Sequence, residues 1–188
     1  VLGFGALSYV RGQGLSIRFA IESLIITVIG TALKVASVPL HPLFFVIVLY
    51  LVTMRIRLII DLGNWFSARG KHEEALGLYR LALKAGPDVT SRQLVLINQG
   101  VAQLRNSDPE AAYLTLTEAG GEEDQVVGAR HWAACYYNLG LACRRTGREA
   151  EAVRRFNEAI DAWPDSIFGE AATRELEKEG RDSQSPAD

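Results

Sequence analysis

The chain writes one sparse pattern of small and large residues twice. Residues 62–87 read LGNWFSARGKHEEALGLYRLALKAGP, and residues 139–164 read LGLACRRTGREAEAVRRFNEAIDAWP. Aligning Leu62-Gly63, Phe66, Gly70, Ala75, Tyr79, Ala82 and Pro87 with Leu139-Gly140, Cys143, Gly147, Ala152, Phe156, Ala159 and Pro164 leaves every internal spacing unchanged. Such a repeat constrains the fold more than composition does, because one copy cannot bury its apolar face alone and must stack on another. Gly63 and Gly140, with Ala75 and Ala152, are small enough to let two helices of a copy approach closely, while Tyr79 and Phe156 fill the space beside them. An interior glycine weakens a helix, so it needs a packing reason of this kind. Gly70 and Gly147 follow apolar-periodic segments and precede Lys71-His72-Glu73-Glu74 and Arg148-Glu149-Ala150-Glu151. That order predicts a helix end followed by an acid-bearing first turn. Pro87 and Pro164 then close the second helices.

A weaker copy lies between them, with Gly100, Ala112, Leu116 and Ala119 at the same places; Gln103, Ser107 and Asp124 replace the aromatic, the turn glycine and the closing proline. The spacing resembles the tetratricopeptide repeat, a helix-turn-helix unit of about 34 residues. Taking each Leu-Gly glycine or its equivalent as the eighth position, the units run over 56–89, 93–126 and 133–166. The resemblance implies an all-α chain in which three units form an α-α superhelix. A capping helix is expected over 167–180, where Ile167, Phe168, Ala171, Ala172 and Leu176 share one side, and a disordered polar tail over 181–188.

Charge separates the two parts of the chain. Residues 1–60 hold five Lys/Arg and one acid, whereas 61–188 hold fifteen Lys/Arg and twenty-one acids, formal charges of +4 and −6 that sum to −2. The acidic part lacks the clustered cations that bind phosphate backbones, which argues against nucleic acid as a partner. The basic part is strongly apolar: Leu15–Val38 and Pro42–Ile60 flank the breaker Pro39-Leu40-His41-Pro42. Each approaches the roughly 20 residues that cross a hydrocarbon core. A transmembrane helical hairpin is expected over 15–60, with helices at about 15–38 and 42–60, the second continuing into the first repeat and lipid around both. The alternative is a pair of helices buried inside a soluble domain. Arg11 and Arg18 at the start of the hairpin, and Arg55, Arg57, Arg69 and Lys71 at and beyond its end, favour a bacterial inner membrane with the repeats in the cytoplasm. Residues 1–14 form an apolar segment whose opening stretch is too short to span, without the charged start and cleavage site of a secretory signal.

Nothing in the sequence assembles into a catalytic or metal-binding constellation, so no enzymatic activity, cofactor or metal is expected. His41, His72 and His131 sit apart from one another and from cysteine at ligand spacing. Cys135 and Cys143 are eight positions apart rather than in a CxxC, which reads as small packing residues in a reducing compartment. The acidic turn Gly120-Gly121-Glu122-Glu123-Asp124 matches no calcium loop.

What remains is a binding surface. In the family this chain resembles, stacked first helices line a groove that receives a peptide or a partner's helix. By that analogy the groove residues are Asn64 in the first unit, Ile97, Asn98, Val101 and Arg105 in the second, and Tyr137, Asn138, Leu141, Arg144 and Arg145 in the third. Amide side chains would hold an extended backbone, and the arginines would attract a carboxylate. Arg144 and Arg145 have a second reading, as cations favoured at a helix C-terminus. Members that clamp an acidic chaperone tail carry cations where Ile60, Ala134 and Asn138 stand here, although Asn64 and Asn98 match the clamp's amide positions, so an apolar partner segment fits better. The sequence therefore reads as a membrane-anchored interaction module, a scaffold or assembly factor. The alternative is a purely structural subunit of a larger membrane complex.

Overall fold

The computed structural model describes residues 17–35, 41–121 and 128–182. Residues 1–16, residues 36–40 with the first half of the breaker, most of the acidic turn (122–127) and the end of the tail (183–188) lie outside them. Among the described residues every regular element is an α-helix: α1 Ile17–Val35, α2 Pro42–Ala68, α3 His72–Lys84, α4 Val89–Arg105, α5 Pro109–Gly120, α6 Ala129–Arg145, α7 Glu149–Ala162 and α8 Ile167–Asp182. The chain divides into two units, Val1–Leu58 and Ile59–Asp188.

In the second unit the helices pair as the repeat chemistry dictates. A Cβ added at Gly63 would lie 2.6 Å from Cε1 of Tyr79, and one at Gly140 would lie 2.6 Å from Cε1 of Phe156. Gly100 stands in the same relation to Leu116. Each glycine is thus a socket for the large residue of its own hairpin. Ala75, Ala82, Ala112, Ala152 and Ala159 are wholly buried beside them. Consecutive hairpins stack through α3 on α4 and α5 on α6, and α8 covers α7 and α6. The core of the stack includes Leu96, Leu104, Leu116, Leu139, Phe156 and Ala172. α4 and α6 each begin a turn before the first position of their repeat. That extra turn brings Trp132, outside the repeat pattern, into the core at 4% exposure.

The three turns inside the hairpins share one geometry. Lys71, Asp108 and Arg148 donate backbone N–H bonds to the carbonyls of Phe66, Gln103 and Cys143, at 3.0, 3.0 and 2.8 Å. This six-to-one closure places the residue before each donor in left-handed backbone. Gly70 and Gly147 adopt it at φ 77° and 76°, and Ser107 adopts it too, at φ 61°. Stacking on both sides holds the weaker repeat to the common turn although its residue there disfavours it. The missing glycine is offset by capping, since Asp108 accepts from Ala111 N at 3.1 Å and Pro109 occupies the first helical turn. Asp88 caps α4 in the same way, accepting from Ser91 N at 2.7 Å.

The spanning hairpin expected over 15–60 is corrected by the structure. Both segments are helical, but among the described residues no helix is long and apolar enough to cross a membrane. The charges set the limit. Glu22 and Lys34 leave Ser23–Leu33 uncharged, and Arg55 ends the uncharged run Leu43–Met54. At the usual rise these runs are about 16 and 18 Å, against about 30 Å of hydrocarbon.

Candidate functional site

The first helices of the repeats carry the candidate binding face. α4 packs on α6, and α6 packs on α8, so residues one to two turns apart on these helices meet the same neighbours. Val101 and Leu141 are partly exposed there, and Leu141 packs against the core. Tyr137 lies between two aromatic rings, its centroid 6.0 Å from Phe156 and 6.0 Å from Phe168. Burial raises the Tyr137 phenol above its ordinary range, and the Glu175 carboxylate adds to that against Lys178, Arg174 and Arg145. The capping helix therefore supplies one wall of the face and much of its charge.

The polar residues of the face are largely engaged within the chain. Asn64 is exposed, and its Oδ1 accepts the Tyr79 hydroxyl at 2.7 Å. Burial pushes the Tyr79 phenol up to about 12, against a smaller opposing effect of the Arg105 charge. Asn64, Tyr79 and Arg105 thus form one neighbourhood, with Arg105 exposed. Asn98 and Asn138 each donate Nδ2–H to a carbonyl one turn back on their own helix, Leu94 and Ala134, at 2.7 Å in both cases. Ile97 is 5% exposed and Asn138 8%, so both belong to the packed interior and present little side-chain surface to a partner.

Adjacent arginines take different partners. Arg144 donates to the Glu175 carboxylate, lies 3.8 Å from Glu149, and rests over the Phe156 ring at 4.9 Å. Arg145 donates Nη1–H to the Leu104 carbonyl at 2.9 Å, closing the C-terminal turn of α4 rather than of its own helix. Glu175 and Phe168 border the candidate face, and the repeat pattern does not reveal them. Only the mixed apolar and acidic character of residues 167–180 pointed toward a helix that could supply them.

Away from this face the second helices carry an ionic network. Arg155 pairs with Glu151 at 3.1 Å and Glu158 at 2.9 Å, while Tyr113 donates to Glu151 at 3.2 Å. Arg148 bonds both oxygens of Glu110 and covers the Tyr113 ring, tying the second repeat to the third. The two thiols are buried, and burial raises Cys135 to about 12 and Cys143 to about 11. They are protonated packing groups at neutral pH rather than nucleophiles. Among the described residues no cluster of His, Cys, Asp or Glu is arranged to hold a metal ion.

Stacked helical hairpins with a small-residue socket in each first helix are a fold shared with tetratricopeptide-repeat structures. Residues 58–93 match the tetratricopeptide repeat family. Among solved structures the chain resembles the tetratricopeptide-repeat domain of Sgt2 from Aspergillus fumigatus, with a TM-score of 0.54 and 22% identity over 71% of this chain and 87% of that one. It is also similar to the photosystem I assembly protein Ycf3 of Rippkaea orientalis, 31% identical over 106 residues, 56% of this chain and 61% of that protein. The protein of the same name from Synechococcus elongatus is 27% identical over 108 residues, 56% and 61% of the two chains. The chain thus spans about three fifths of the length of the curated relatives it matches.

Proposed function

We propose that this chain is a non-enzymatic interaction module of the assembly-factor kind, holding a segment of a partner protein against the α4–α6 face. The observation that carries the reading is the partly exposed strip of Val101, Leu141 and Tyr137, bordered by the exposed residue Arg105. An apolar segment with an acidic residue at its edge complements that strip, and the Asn98 and Asn138 amides each have one donor held by their own helix. The name of the Ycf3 relatives, photosystem I assembly proteins, supports a subunit of a membrane protein complex as the kind of partner. Attachment to a membrane is part of the same proposal. Its support is the apolar character of α1 and α2, and the flanking arginines favour the cytoplasmic side of a bacterial inner membrane.

Capture from native membranes by the full chain, compared with a Tyr137→Ala, Arg105→Glu variant, tests the face. Loss of an anchor on the order of 1–3 kcal/mol weakens capture by about 5- to 150-fold. A partner retained at unchanged affinity by a folded double variant removes this face from the reading.

A further inference from the structure

In the first unit, large apolar side chains stand exposed along both helices. Among the outward residues, Leu24 is 64% exposed and Val28 60% on α1, and Val46 57% and Phe44 56% on α2. The less exposed positions of α1 include Thr27 and Gly30. Two polar side chains of the unit bond to carbonyls of their own helices. The exposed Thr31 hydroxyl donates to the Thr27 carbonyl at 2.8 Å, and Arg55 Nη1 donates to the Val52 carbonyl at 2.7 Å. A surface that meets another protein carries a polar rim with hydrogen bonds left to offer. A surface that meets acyl chains has to satisfy its polar groups internally.

Length and charge then specify the seat. The uncharged runs Ser23–Leu33 and Leu43–Met54, about 16 and 18 Å long, suit the roughly 15 Å depth of one leaflet. At the end of the second run stand Arg55, partly exposed, and Arg57, exposed. We infer that α1 and α2 seat their outward aliphatic faces in one leaflet of a bilayer rather than crossing it, with Arg55 and Arg57 held by anionic phospholipid headgroups. This rests on the membrane attachment proposed above and adds the depth and the lipid class.

Flotation of the full chain with vesicles of phosphatidylcholine alone, and of phosphatidylcholine mixed with phosphatidylglycerol, separates the claims. The chain is expected to float with both and to bind the mixed vesicles more tightly, by about fivefold per arginine, with the advantage fading at high salt. Arg57→Gln should lose about fivefold on the mixed vesicles only, and Phe44→Asp, Val46→Asp should lose binding to both while circular dichroism stays helical. Equal affinity for the two compositions overturns the headgroup assignment and leaves attachment standing. Protease protection of residues on both sides of the bilayer overturns the single-leaflet seat. No flotation with either vesicle, with the chain forming a soluble oligomer, removes the attachment itself and assigns the aliphatic faces to a second copy.

Discussion

The substitution Gly140→Ala should destabilise the repeats although alanine is the better helix former. Gly77→Ala provides the comparison, because it makes the same chemical change on an exposed helix with no neighbouring atom within 4 Å of the added Cβ. There the full propensity gain is realised, about 0.8–1 kcal/mol. At Gly140 the added Cβ would sit 2.6, 2.7 and 3.0 Å from three atoms of the Phe156 ring. That ring is fully buried, with Tyr137 6.0 Å away on one side and the Arg144 guanidinium 4.9 Å over its face, so it has little freedom to retreat. Overpacking of this kind costs about 1–3 kcal/mol, which leaves a net loss of about 1 kcal/mol after the propensity gain. The two variants should therefore differ by about 2 kcal/mol, or about 4–8 °C in melting temperature for a chain of this size. Thermal and urea unfolding of the full chain, followed by circular dichroism, measure the difference. If Gly140→Ala raises stability as much as Gly77→Ala, the socket argument fails for all three hairpins.

The left-handed turn at Ser107 is the mirror case: Ser107→Gly should stabilise by about 1 kcal/mol by relieving the backbone strain, read from the same unfolding curves. Arg145→Met keeps most of the apolar stem but removes the bond to Leu104 O, and should cost about 1 kcal/mol while loosening hydrogen-exchange protection at the end of α4. Both thiols should resist alkylation at neutral pH until the chain is unfolded. Their folded-state values lie above those of the unfolded chain, so the protonated form stabilises the native state. That contribution is complete below pH 9 and is lost as pH rises toward about 12 for Cys135 and about 11 for Cys143. A urea midpoint that stays constant from pH 7 to 11 contradicts the burial of these groups.

The sequence by itself determined the hairpins, because spacing alone places Gly63, Gly100 and Gly140 opposite Tyr79, Leu116 and Phe156 on helices whose turns recur at fixed intervals. Helical periodicity is a local property, and local properties are written in order along the chain. The apolar character of residues 15–60 was equally legible, yet the ability to cross a bilayer did not follow from it, since the charges cut the runs to about half the needed length. The candidate binding face was only partly legible. Neighbouring positions on a helix point about 100° apart, so which polar group remains available depends on the helices packed to either side. Thus Arg144 is taken by Glu175 on α8, Arg145 by a carbonyl of α4, and Ile97 and Asn138 turn into the stack, whereas Val101, Leu141 and Arg105 retain surface. Those partners lie some 30 to 40 residues away in sequence, at |i−j| 31 and 41 for the two arginines, and no spacing rule encodes them. Only the stacking of distant helices decides them, because a hydrogen bond or a buried contact requires the approach of groups that chain order leaves far apart.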